Sequence, residues 1–215
     1  MKRFKYTNGY IDNGEAMKAT QEEQAREEER FTSIVRDIAR TNGYPNVSVE
    51  IVDFTDFKVR WARTYDTIRF TVSDYLIGVP DSVFADIMRK IFTRIDGISV
   101  GFSESTNEYL TDAKFANAHR RTYLSRLGAE RVKYTSFNGV PVHFSKNPMG
   151  RVGGASVLMK VIVLDPSLKK ESEDFVLNAI KCKYNDLQMG LENFGKKGEL
   201  VQCDRAILRE AGYGL

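Results

Sequence analysis

The sequence contains few of the residues on which catalytic and structural sites most often depend. Its 215 residues include 2 histidines, 2 cysteines, 5 prolines and 1 tryptophan. Two histidines exclude any site that needs three, and two cysteines exclude a disulfide scaffold and favour a reducing cytoplasm. The longest apolar stretch, 157–164, is interrupted by Lys160, whereas a membrane-spanning helix needs roughly 20 apolar residues. We therefore expect a soluble, cytoplasmic protein with no membrane partner.

Charge of one sign is also scarce, and so is low-complexity sequence. Lys and Arg total 32 and Asp and Glu total 29, a formal net charge of +3. Such a small excess does not by itself imply a nucleic-acid partner. Hydrophobic residues make up 42% and charged residues 28%, which is typical of a folded globular chain and not of a disordered one. The polar, charged start of the sequence predicts no secretory signal.

Helical and strand periodicities alternate along the chain. The segment Thr20-Gln21-Glu22-Glu23 has the form of a capping box and predicts that the first helix begins at Thr20. Asn42-Gly43 supplies its end. Further along, the pattern predicts three strands within 47–72, helices over 81–95, 111–127, 173–189 and 203–211, and a strand over 156–164. We expect an α+β fold, a short mixed or antiparallel sheet packed by helices, with residues 1–19 as an extension and 20–215 as a single domain.

Four segments between 47 and 209 have the pattern of a known family. They are KVRW at 58–61, TIRFTVSDYL at 67–76 followed by VP, HRRTYLSR at 119–126, and SVLMKV at 156–161 followed by LD and FVLN. These segments resemble the sheet, a basic Tyr-Leu-x-Arg segment, the edge strand and the start of the active-site helix of SprT-like zinc metallopeptidases. More specifically, they resemble an archaeal-type branch of these small zincins. The resemblance implies a zincin-like fold.

The zinc-binding motif of that family is missing. Its members need His-Glu-x-x-His, in which two histidines hold the metal and the glutamate polarises the bound water. The resemblance places Lys183 and Leu187 at the two histidine positions and Tyr184 at the glutamate, with Cys203 at the third ligand. A lysine ammonium opposes a divalent cation, so the resemblance implies the fold without the reaction. It predicts a pseudoenzyme, with no catalytic residue and no cofactor, that acts by binding a protein or peptide partner along the edge strand 156–164.

Two alternatives remain open. Cys182 and Asp186 lie four residues apart on one helix, and Cys203 could join them in a rearranged zinc site of a metal-dependent hydrolase. The competing interpretation is that both cysteines are small buried hydrophobic residues. The second alternative is a nucleic-acid-associated module in the basic segment 114–133, where tyrosines are interleaved with cations. Its candidate binding residues are Arg120, Arg121, Arg126 and Lys133.

Overall fold

A computed structural model of the chain describes residues 13–97, 100–146 and 152–194. The contacts within these residues divide them into two units. Within the described residues, unit 1 spans 13–54 and 58–80, and unit 2 spans 55–57 and the remainder from residue 81. Each unit combines helices with a small mixed sheet, so the predicted α+β class is confirmed.

Unit 1 is a helix followed by a three-stranded sheet. Its elements are α1 (Asn13–Thr41), β1 (Asn46–Val52), β2 (Val59–Arg63) and β3 (Thr67–Ser73), followed by a 3-10 turn (Asp74–Leu76). The strand order is β1-β3-β2, with β1 parallel and β2 antiparallel to β3. The three strands predicted from period-two alternation are therefore present, and β3 lies between the other two.

The core of unit 1 follows from the two periodicities. Phe31, Val35 and Ala39 recur every four residues on α1 and are fully buried, because that spacing places them on one helix face. Alternate residues of β3 share one face of the sheet, and Ile68 and Phe70 are likewise fully buried. Helix α1 packs against β1, which leaves β2 at the opposite edge of the sheet.

Helix α1 begins at Asn13, and the prediction that it begins at Thr20 is wrong. Glu15, Ala16, Met17 and Lys18 are good helix formers, so the helix continues through the position expected to cap it. Its end agrees with the sequence, because Gly43 takes a φ of 83° directly after the last turn. A positive φ at that point is the usual end of a helix.

A charged cluster ties α1 to the loop after β3. Arg30 donates to both carboxylate oxygens of Glu27 and to the carbonyl of Val79, and Glu27 accepts the Gly78 N–H at 3.0 Å. Burial alone would raise the pKa of Glu27, but the hydrogen bonds from Arg30 and Gly78 and the charge of Arg30 lower it below its ordinary value. The folded state therefore favours the ionised carboxylate.

This lowered pKa predicts an acid-sensitive unit 1. A carboxyl whose pKa is lower in the folded state contributes stability above its unfolded pKa and loses it as pH falls through the folded value. We expect the stability of unit 1 to decline below the ordinary Glu pKa of 4.5. The decline should be shallower in Glu27→Gln, measured by urea unfolding at several pH values. Glu29→Gln, on an exposed side chain of the same helix, should retain the wild-type slope, and equal slopes in all three proteins would contradict the assignment.

Unit 2 contains a four-stranded mixed sheet with helices. Its elements are α2 (Asp81–Ile95), α3 (Glu104–Thr111), α4 (Ala113–Arg126), β4 (Ala129–Phe137), β5 (Val140–Ser145), β6 (Gly153–Ser156), β7 (Val161–Leu164), a 3-10 helix (Pro166–Lys170) and α5 (Glu173–Asn193). The strand order is β4-β5-β7-β6, and only β5 and β7 run parallel. The predicted helices over 81–95 and 173–189 correspond to α2 and α5.

The prediction of one edge strand over 156–164 is wrong. Residues 157–160 form a turn in which Lys160 has a φ of 48°, and the turn separates β6 from β7. Strand β7 lies between β5 and β6, so its backbone is paired on both sides. The apolar run Val161–Leu164 is fully buried, as expected for an inner strand.

Three other predictions have different outcomes. The basic helix predicted over 111–127 is α4, and the separate helix α3 before it was not predicted. The predicted helix over 203–211 lies outside the described residues.

Neither α1 nor α5, the two longest helices in the described part of the chain, has the apolar composition that crossing a membrane requires, and no other described helix has it.

Candidate functional site

The positions that the resemblance aligns with the zinc motif lie on α5. Lys183 and Leu187 belong to the buried stripe of this helix, and 2% of the Lys183 side chain is exposed. The Lys183 ammonium is 3.1 Å from Oδ2 of Asp186, whose side chain is 16% exposed. The two charges neutralise each other. Asp186, the candidate zinc ligand, therefore already has a cationic partner.

Tyr184 contributes to packing between α5 and β4. Its ring lies 5.3 Å from the ring of Phe137, in an edge-to-face arrangement at 74°. Both rings are partly buried against the cluster that joins α5 to the sheet. This contact gives Tyr184 a structural role at the position that the resemblance aligns with the glutamate base.

Cys182 is disulfide-bonded, and Cys203 lies outside the described residues. A sulfur in a disulfide has no thiolate with which to bind zinc, so the rearranged site would need this bond reduced. Within the described parts of the chain, no three His, Cys, Asp or Glu side chains are grouped to hold a metal ion.

The candidate nucleic-acid residues on α4 differ in how far the fold engages them. Arg120 donates through Nε to the carbonyl of Met159 at 2.7 Å and through Nη1 to Asn117 at 3.1 Å. It therefore ties α4 to the turn before β7. Arg121 is exposed, Arg126 is partly buried, and the side chain of Lys133 lies outside the described part of the structure.

The two edges of the sheet in unit 1 differ in how their backbone groups are satisfied. At the β1 edge, Glu28 accepts the Ile51 N–H at 2.8 Å and Gln24 donates to the Ile51 carbonyl at 3.0 Å. Thr32 accepts the Val49 N–H at 3.2 Å. Three side chains of α1 thus close the outer edge of β1, which is a common way of protecting an edge strand.

The β2 edge is open. At one end of the β2–β3 pair, the Ser73 N–H donates to the Lys58 carbonyl. At the other end, the Thr64 N–H donates to the Thr67 carbonyl, and both distances are 2.9 Å. Because residues in an antiparallel pair alternate between bonding inward and facing outward, this register turns Arg60 and Ala62 toward β3. The backbone N–H and C=O groups of Val59, Trp61 and Arg63 face away from it. No hydrogen bond joins these groups to any other part of the described chain.

One face of β2 carries the aliphatic Val59, the aromatic Trp61 and the cationic Arg63. Val59, Trp61 and Arg63 align with Val72, Phe70 and Ile68 of β3, so they share the face on which the core residues lie. Trp61 is nevertheless 44% exposed. The Arg63 guanidinium lies 5.8 Å from the centre of its ring and donates to the Tyr44 hydroxyl at 3.1 Å. These contacts hold the indole in place beside the open edge.

The opposite face of β2 is basic. Arg60 and Ala62 align with Thr71 and Arg69 of β3, and the two arginines and Ala62 are exposed. The Arg60 guanidinium lies 4.9 Å from the centre of the Phe54 ring, which supports it without neutralising its charge. An added strand would therefore have Arg60 and Ala62 beside it on one face, and Val59, Trp61 and Arg63 beside it on the other.

Sequence reasoning assigned binding to 156–164 and missed β2. The available signal was the single tryptophan of the chain between two arginines on a short strand. That pattern does not show that β2 is an edge strand, because the position of β2 in the sheet depends on which strands pair with β3.

No family model matches this sequence, and neither the curated proteins nor the solved structures contain a match to it.

Proposed function

We propose that this protein is a non-catalytic binding protein that adds an extended acidic peptide to the open edge of β2. The observation that carries the proposal is the contrast between the two edges. Side chains of α1 close β1 with three hydrogen bonds, whereas no described residue bonds to the outward backbone groups of Val59, Trp61 and Arg63. Strand addition is a common mode of peptide recognition, in which backbone hydrogen bonds supply affinity and side-chain neighbours supply specificity. Each new hydrogen bond contributes about 0.5–1.5 kcal/mol net.

The side chains of β2 select the composition of the added strand. Neighbours across a strand pair lie about 5 Å apart, so opposite charges there are favourable and like charges unfavourable. Acidic residues opposite Arg60 complement its charge, to which Arg69 adds from the next strand inward. Apolar residues at the alternate positions complement Trp61 on the other face. A second copy of β2 would bring arginines together, which disfavours self-association through this edge.

The metallopeptidase relationship remains part of this proposal. The resemblance covers 58–61 and 67–80, which include β2 and β3, and it implies a SprT-like, zincin-like ancestry with the reaction lost. The buried pair of Lys183 and Asp186 supports the loss, because an ammonium at the first ligand position excludes a divalent cation by charge. The nucleic-acid function of segment 114–133 and the zinc-dependent hydrolase are weaker alternatives, since Arg120 is engaged in the fold and Cys182 is disulfide-bonded.

Fluorescence anisotropy with three labelled probes tests the proposal. The probes are the alternating peptide EVEVEVE, its basic counterpart KVKVKVK and an oligo-dT strand. We expect the full chain to bind the acidic peptide and to bind the other two at least about tenfold more weakly, a difference of about 1.4 kcal/mol. The Arg60→Glu/Arg69→Glu variant should lose about tenfold in affinity for the acidic peptide through like-charge contacts.

The matched control is Arg36→Glu, which reverses an exposed charge on α1 and should bind the acidic peptide like the wild type. Equal binding of the acidic and basic peptides would contradict the proposal. Salt-sensitive binding of oligo-dT without binding of the acidic peptide would replace it with the nucleic-acid alternative.

A further inference from the structure

Unit 2 contains a cleft between α3 and α4 that has no part in the proposed peptide binding. Its cavity volume is about 600 Å³, which lies within the range of small-molecule sites. Three rings line it, those of Tyr109, Phe115 and His119, together with the carboxylates of Glu108 and Asp112. Convergence of rings and carboxylates in one cavity indicates a ligand that is both cationic and apolar.

The rings are set at steep angles to one another. Phe115 is 5% exposed and forms the centre of the group, with the Tyr109 ring 6.1 Å away at 64° and the His119 ring 4.6 Å away at 57°. Phe57 packs on the Phe115 ring at 6.1 Å and 74°, which fixes its orientation. Rings that stand at such angles around one cavity resemble the walls of an aromatic cage, whose negative ring faces attract a cation.

The two carboxylates of the cleft have oxygens that accept no hydrogen bond from the described residues. Asp112 caps α4 through Oδ1, which accepts the Lys114 N–H at 2.6 Å, and its other oxygen has no hydrogen bond to the described residues. Glu108 is exposed and has neither a hydrogen bond nor an ion pair with any described residue. Lys114 also lines the cleft, so two carboxylates face one lysine. The lysine ammonium lies on a long, flexible stem.

We propose that this cleft binds an alkylammonium group, of the kind found in choline and in trimethylated lysine. A methylated ammonium is a weakly hydrated cation that aromatic faces attract by about 0.5–2 kcal/mol each. The carboxylates supply the opposite charge. The cavity is larger than a trimethylammonium head and leaves room for the chain attached to it. A free ammonium compound and a methylated lysine side chain share this chemistry.

Isothermal titration of the full chain with choline and with its uncharged tert-butyl analogue, dimethylbutanol, tests the charge requirement. We expect choline to bind and the analogue to bind at least about tenfold more weakly, because the analogue has the same shape without the cation. Equal binding of the two would overturn the proposal. A trimethyl-lysine peptide distinguishes the sources: tighter binding of the peptide than of choline assigns the site to a modified protein, and the reverse assigns it to a free compound.

Two charge variants with opposite expected effects make the test independent of folding. Glu108→Gln should weaken choline binding, and Lys114→Met should strengthen it, each by about threefold to tenfold. Glu104→Gln, on the same helix but outside the cleft, is the matched control and should leave the affinity unchanged. Tyr109→Leu keeps an apolar side chain and should weaken binding about tenfold by removing one ring. Weaker choline binding in Lys114→Met would show that loss of a nearby positive charge does not favour the bound cation, and it would overturn the proposal.

Discussion

Replacing Asp186 by alanine is expected to lower the free energy of unfolding of unit 2 by about 3 kcal/mol. Removing one partner of a buried ion pair leaves the other charge uncompensated, at a cost of about 3–5 kcal/mol. The lower figure applies because Asp186 is 16% exposed and Lys183 has a further contact. Urea unfolding of the full chain followed by circular dichroism measures the change.

Two further variants identify the cause. Glu192→Ala removes an exposed charge from the same helix and should change stability by no more than about 0.5 kcal/mol. Adding Lys183→Met to Asp186→Ala removes the buried ammonium as well and should restore most of the loss. If Asp186→Ala is as mild as Glu192→Ala, the pair does not hold α5, and Asp186 becomes available again as a candidate zinc ligand.

Replacing Trp61 by proline should strongly weaken binding of the acidic peptide with little loss of stability. The Trp61 N–H faces away from β3, so proline removes a donor from the open edge and none from the β2–β3 pair. We expect at least about a tenfold loss of affinity in the anisotropy assay, or about 1.4 kcal/mol. A thermal melt of the variant checks that unit 1 still folds.

The side chain of Trp61 has to be separated from its backbone. Trp61→Ala removes the indole but keeps the N–H, and it should lose less affinity than Trp61→Pro. Ala62→Pro removes an N–H that faces β3 and should destabilise unit 1 itself. Equal losses in Trp61→Ala and Trp61→Pro would indicate a contact made by the indole alone and would contradict strand addition.

Local patterns predicted the elements whose neighbours lie nearby in sequence. The alternation of Ile68 and Phe70 marked β3, and the stripe through Val176 and Ile180 marked α5. The same reasoning missed the β4–β5 hairpin, although Asn138-Gly139 between apolar residues is a strong turn signal. Asn138 and Gly139 have φ values of 47° and 79°, as a two-residue turn of this type requires.

The candidate site depended on pairings that the sequence does not encode locally. The apolar run 156–164 reads as one strand, but the positive φ at Lys160 folds it back and places β7 inside the sheet. Strand β2 is the open edge of the sheet because Gln24, Glu28 and Thr32 of α1 bond to the other edge, at β1. The pairing of Lys183 with Asp186 is an i,i+3 contact, which a helical segment of this sequence predicts.

Amide hydrogen exchange along β2, measured with and without the EVEVEVE peptide, tests the central claim most directly. In the free protein, we expect fast exchange at Val59, Trp61 and Arg63, whose N–H groups face outward, and slower exchange at Arg60 and Ala62. Saturating peptide should slow exchange at the three outward positions by about tenfold or more, since added-strand hydrogen bonds protect them. Peptide binding that leaves these three amides as fast as before would show that no strand is added at this edge.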